Sequence, residues 1–178
     1  MENKSCQVSE SKLLQHLGNL RKKMIQNHEL ENLSEFVLHD LCTGPCFQVN
    51  KAAYFINNPD FNLVRGIAGY HHQEPHAQVR DVWTHQKQFI AGMQDSDFNK
   101  KVRVNNLHSA FEFGKSSEKY LVEKLADELE IANPLYHVWN LKHANHGLLI
   151  YESNVDDQKH VQDHVLDGFY YLSFCPVY

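Results

Sequence analysis

Leu13, Leu17, Leu20 and Met24 recur at intervals of four, three and four residues, the rhythm of one apolar stripe on a helix. The spacing predicts a helix from about Ser9 to Asn27. Lys22 and Lys23 fall in its last turn, where cations suit the negative end of the helix dipole. A second helix is predicted from about Glu29 to Cys42 on the stripe Leu30, Leu33, Val37 and Leu41, widened by Phe36 and Leu38. Thr43-Gly44-Pro45 stops it, because glycine tolerates positive φ and proline cannot continue the helix. The two helices are expected to pair antiparallel around the Asn27-His28 corner.

Downstream of Pro45 the period shortens. Cys46 to Ile56 places Phe47, Val49, Ala53 and Phe55 on one parity, with Gln48 and Asn50 on the other, as a strand would. Asn57-Asn58-Pro59-Asp60 is a dense turn signal. Phe61 to Tyr70 then reads as a second strand, buried on both faces, and the pair as a hairpin. Gly66 and Gly69 within it suggest a bulge or a close backbone approach.

Pro75 suits the first position of a helix, predicted to run to about Gly92 on Val79, Val82, Trp83, Phe89 and Ile90. Between Asp95 and Gly114 the rhythm weakens. Val102 and Val104 alternate as in a short strand, while Leu107, Phe111 and Phe113 suit a loop that packs down. Ser116 to Ile131 is helical, with Leu121, Val122, Leu125 and Leu129 inward, and Asn133-Pro134 ends it. Leu135 to Leu141 and Leu148 to Glu152 form a second hairpin. A short helix capped by Ser153 or Asn154 follows to about Leu166, Gly168 ends it, and Phe169 to Phe174 forms a final strand.

Hairpins joined to helices point to an α+β fold. The expected architecture is a mostly antiparallel sheet built from two hairpins plus a C-terminal strand, covered by helices. An N-terminal helix pair (1–44) and an α+β body (45–178) form one domain. The chain's 178 residues, 42% hydrophobic and 22% charged, supply a core without covalent staples.

Charge narrows the partners. The net charge is −5, and the arginines (Arg21, Arg65, Arg80, Arg103) are scattered along the sequence. Without a basic stripe to neutralise phosphates, nucleic-acid binding is disfavoured. No apolar run is long enough to span a bilayer, so no membrane partner is expected. The N-terminal residues lack the apolar stretch of a signal peptide. Cys6, Cys42, Cys46 and Cys175 are therefore read as reduced thiols, and the protein is expected to be cytoplasmic.

Thirteen histidines is a high number for this length, and histidine ligates metals and titrates near neutrality. His39, Cys42 and Cys46 lie around the end of the second helix, with His72 or His71 as a fourth ligand, a candidate zinc set. The competing reading makes the cysteines small buried apolar residues. His71, His72 and His76 sit at a strand-to-helix junction, a candidate anion site through free amides at the helix start, against the plainer reading of a polar loop. His143 and His146 flank a turn, where polar residues are ordinary. His160 and His164 share a helix face, but Val161 occupies the place of the glutamate that the zinc-protease motif needs. Cys46 is also a candidate catalytic thiol. Glycine-rich phosphate loops, dinucleotide fingerprints and nucleophile-elbow serines are absent.

The preferred functional expectation is a non-catalytic binding or interaction domain for a small molecule or protein. Its expected oligomer is a homodimer through the final strands or the helix pair. The alternative is a zinc protein, including a metal-dependent hydrolase, on His39, Cys42, Cys46 and His72. A third reading is a thiol hydrolase using Cys46.

Overall fold

The stripe Leu13, Leu17, Leu20 and Met24 is buried along one side of helix α1 (Asn3–Gln26), as the four-three-four spacing requires. The asparagine at the corner closes the helix, Asn27 Nδ2 donating to the Lys23 carbonyl at 2.8 Å. Helix α2 (Leu33–Thr43) buries nine of its eleven residues, polar Ser34, Glu35 and His39 among them. A helix buried on nearly every side lies between layers. The computed structural model describes residues 3–43, 49–112, 114–153 and 166–176.

Both predicted hairpins form. Strand β1 (Val49–Asn58) pairs antiparallel with β2 (Leu63–His71), and β4 (Leu135–Asn140) with β5 (His146–Ser153). β1 also pairs antiparallel with β5, joining the hairpins into one sheet. A two-residue edge strand, β3 (Asn106–Leu107), completes the order β3-β2-β1-β5-β4. The fold is α+β, as read from the sequence.

Helices lie against both faces of the sheet. On one face Ala52, Tyr54, Ala68, Tyr70, Trp139 and Leu149 share a core with α1, α2 and α3 (Gln86–Asp95). On the other, Ala53, Phe55, Val64, Leu148 and Ile150 pack with α4 (Asp97–Val104) and α5 (Ser116–Glu128). β1 is therefore buried on both sides along Ala52–Phe55, which the one-sided parity in the sequence understates.

Both readings of the β2 glycines hold. The register shifts opposite Tyr54 and Phe55, leaving Ile67 as the extra residue of a bulge. The backbone of α4 also crosses β2 very closely. A Cβ on Gly69 would lie 2.8 Å from Val102 Cγ2 and 3.1 Å from the Asn99 Cα.

Three predicted elements differ. The helix expected from Pro75 to Gly92 is instead a 3-10 helix (Pro75–Gln78), a turn-rich segment and α3. Asp81 organises the break, accepting hydrogen bonds from the Trp83 and Thr84 amides and the Thr84 hydroxyl and so competing with helical bonding. The stretch read as a weak strand around Val102 is helix α4. Ser96 caps it by accepting from Asn99 N at 2.9 Å, and Phe98 and Val102, four apart, supply the buried face. The expected final strand is a 3-10 helix (Tyr170–Phe174) after helical residues 166–169. Phe169, Leu172 and Cys175 are the buried positions, and a three-residue interval is the 3-10 period. The predicted helix between Ser153 and Leu166 falls largely on residues outside those described.

Candidate ligand-binding site

The candidate metal and anion residues fold apart. His39 is buried against Tyr70, His76 and Phe89, and its Nε2–H donates to the His76 carbonyl at 3.0 Å. Cys42 is buried, and desolvation pushes its thiol well above the usual range. His72 lies at the surface with its Nδ1 3.2 Å from the Asn50 carbonyl. His39, Cys42 and His72 therefore form no cluster, and among the described residues no group of three His, Cys, Asp or Glu side chains could hold a metal ion. Cys46 lies outside the described residues, so both readings built on it do too; the same holds for His160 and His164.

The histidine trio at the end of β2 is split between surface and interior. The His71 and His72 rings stack, with centroids 5.5 Å apart, whereas His76 is completely buried. The short 3-10 helix that follows Pro75 also lacks the row of free amides expected at a long helix start.

What His76 joins is a buried polar chain that sequence reasoning missed. Its Nδ1 faces Glu74 Oε2 at 3.6 Å. Glu74 accepts from the Phe98 amide at 2.9 Å and from the Ser96 hydroxyl. Asn99, one turn into α4, donates to Glu35 Oε1 at 3.0 Å and to the Met93 carbonyl at 3.2 Å, and accepts from the Gly69 amide at 2.8 Å. Glu35 also accepts from Asn32 Nδ2 and Arg103 Nη1. Burial pushes His39 and His76 down to about 4, so both imidazoles are neutral near pH 7. The chain ties α2, β2 and α4 together. Its histidines offer a reactant no entry, because His39 and His76 are buried and line neither of the clefts beside them.

Two clefts open beside this interior, sharing Arg65 and Ile67 of β2 and separated by the C-terminal residues Phe174–Pro176. The first, about 650 Å³, lies beside Glu31, Glu35 and Asn99. Its carboxylates share the lining with Arg65, Lys100 and Arg103, and Asn32, Asn99 and Arg103 satisfy Glu35.

The second, about 760 Å³, is different. It lies on the α1–α2–α3 face of the sheet, at the end where both hairpins turn, because Asn57 of β1 pairs with His146 of β5. Helices α1 and α2 cover the opposite end, and the Tyr170–Phe174 helix forms one bank. Its wall is apolar at Ile56, Leu63, Ile67, Leu172 and Phe174, with Arg65 and Lys142 as cations. Tyr54 stacks on Trp139, ring planes 6° apart, and Trp139 Nε1 donates to Ser173 Oγ at 2.7 Å.

Within this wall, polar groups are left over. Tyr54 is fully buried, and its hydroxyl has no hydrogen-bond partner among the described residues. Burial, and then the neighbouring Cys175 thiol, push its phenol upward, so it keeps its proton and remains a donor. Asn145 Oδ1, in the β4–β5 turn, is also buried and without a partner among the described residues. The other side-chain atoms left in this way among the described residues belong to His39, Asp40, His76, Trp83 and His137, which line neither cleft. The same turn holds His143 and Ala144 at φ of 59° and 56°, a left-handed conformation that costs side-chain-bearing residues energy.

Arg65 was visible in the sequence only as one scattered arginine, and Tyr54 carried no signal that set it apart. Pairing β1 with both β2 and β5 is what places them in one wall. Comparison of the chain with known family models, with curated proteins and with solved structures returns no match.

Proposed function

We propose that the chain is a non-catalytic ligand-binding domain that takes a small molecule into the 760 Å³ cleft beneath the two hairpin turns. The volume is in the range of small-molecule sites, which combine apolar walls with a few convergent polar groups. The observation that carries the reading is the unpaired hydroxyl of the fully buried Tyr54. A buried donor left unsatisfied costs about 1–3 kcal/mol, a cost that a ligand accepting its hydrogen bond would remove. Asn145 Oδ1 supports the same reading from the opposite hairpin. Ser173 accepts from Trp139 and Cys175 donates to the Tyr171 carbonyl, so among the described residues neither is paired with a base, which supports binding over catalysis.

Tyr54→Phe tests this. A hydroxyl kept for a ligand is a burden on the free protein, so the variant is expected to be more stable than the parent by about 1 kcal/mol in urea unfolding. A hydroxyl satisfied within the fold would make the same variant less stable by about that amount, and this outcome would overturn the reading.

A further inference from the structure

Resting on that binding reading, we infer that the ligand is an amphipathic anion: an apolar body carrying one carboxylate, sulfonate or phosphate group, which meets the cations Arg65 and Lys142. The chain as a whole is acidic, with 22 Asp and Glu against 17 Lys and Arg. Yet among the described residues no Asp or Glu lines this cleft, while Arg65, Lys142 and His143 do. Arg65 makes no hydrogen bond or ion pair among the described residues, in contrast to Arg103, whose guanidinium lies 3.1 Å from Glu35. A cation without a carboxylate neighbour in a cleft of low polarity attracts anions more strongly than one on open surface.

The remaining polar groups point the same way. The Tyr54 hydroxyl is a donor, and Ser173 Oγ accepts from Trp139, which leaves its own proton to donate. Asn145 presents an amide that donates from one end and accepts from the other. The apolar side chains Ile56, Leu63, Ile67, Leu172 and Phe174 supply the surface for a hydrocarbon or aromatic body. The neighbouring cleft gives the internal contrast. It shares Arg65 and adds Lys100 and Arg103, but Glu31 and Glu35 stand in the same wall and Glu35 engages the Arg103 guanidinium, so carboxylates offset its cations.

The test compares two probes with the same ring skeleton, 8-anilinonaphthalene-1-sulfonate and its uncharged counterpart N-phenyl-1-naphthylamine. Both are titrated by fluorescence into the folded 178-residue chain. The sulfonate is expected to bind one equivalent, roughly tenfold more tightly than the neutral probe, as one charge-assisted contact provides. Arg65→Gln is expected to remove that advantage, bringing the sulfonate's affinity down to about that of the neutral probe in the same variant. Asn140→Trp, an exposed position in the cleft wall, is expected to block both probes. Equal affinities for the two probes, both lost in Asn140→Trp, would overturn the anion assignment and keep the cleft as a binding site. Probe binding indifferent to Asn140→Trp, or no binding of either probe, would overturn the site as well. Circular dichroism and thermal melting of each variant separate loss of binding from loss of fold.

Discussion

A Cβ on Gly66 would stand 1.8 Å from the carbonyl oxygen of Val102. Strand β2 and helix α4 approach so closely there that only a residue without a side chain fits. The obstacle is backbone, which cannot move aside as a flexible side chain can. Gly66→Ala is therefore expected to destabilise the protein by about 3 kcal/mol or more, measured by urea unfolding. Gly18, inside α1, has nothing within 4 Å of its ideal Cβ position, and Gly18→Ala should instead stabilise by about 0.5–1 kcal/mol. The opposite signs check the close crossing directly.

Asn99 holds three elements at once, through the Gly69 amide of β2, Glu35 of α2 and the Met93 carbonyl of α3. Asn99→Ala should cost about 2–4 kcal/mol, because it leaves buried partners unpaired as well as removing bonds. Hydrogen exchange should locate the loss, with the Gly69 amide losing protection.

Acid should weaken the fold through His39 and His76. Burial holds both near 4 in the folded chain, against 6.5 for an ordinary imidazole. Their contribution is complete above pH 6.5. As pH falls towards 4 the unfolded chain takes up protons that the folded chain refuses, and stability drops by about 1.4 kcal/mol per pH unit for each proton. Below the folded values the slope from these groups vanishes. His39→Gln keeps a donor for the His76 carbonyl but removes one titrating ring, so its stability should fall less steeply between pH 6.5 and 4 than the parent's. Equal slopes would show that His39 takes up its proton alike in the folded and unfolded chains, its imidazole not lowered by burial.

Cys42 and Cys175 should resist alkylation. Desolvation raises both thiols, Cys175 to about 12 and Cys42 well above its usual value, so little thiolate exists at pH 8. Iodoacetamide labelling followed by peptide mass spectrometry should find both unmodified in the folded chain and both modified in urea.

The β4–β5 turn carries relievable strain. His143 and Ala144 both take positive φ, where glycine is at ease. Ala144→Gly is expected to raise stability by up to about 1 kcal/mol in thermal unfolding. The probe titrations described above should then show whether the stiffer native turn also serves binding.

Much of the fold was legible because it rests on local rhythm. The buried stripe of α1, the apolar faces of α2 and α5 and the two hairpins all follow from oily residues spaced at 3.6 or 2, punctuated by Pro45, Pro59 and Pro134. The failures were also local in origin. Val102 and Val104 alternate like a strand, but the Ser96 cap and the pairing of Phe98 with Val102 make that stretch helical. Phe169, Leu172 and Cys175 recur at three, a spacing too short to declare itself against a strand pattern.

The sequence by itself determined α1, α2, α5 and the two hairpins, and that they collapse on a dense apolar interior, because periodicity is a property of neighbours along the chain. Only the tertiary structure decided that His39 and Cys42 part company with His72, that Glu35 is enclosed beside Asn99, and that Arg65 and Lys142 share one wall with Tyr54. Those relationships depend on strand order and helix crossing, which bring together residues from 54 to 175. No interval in a linear pattern encodes such a meeting.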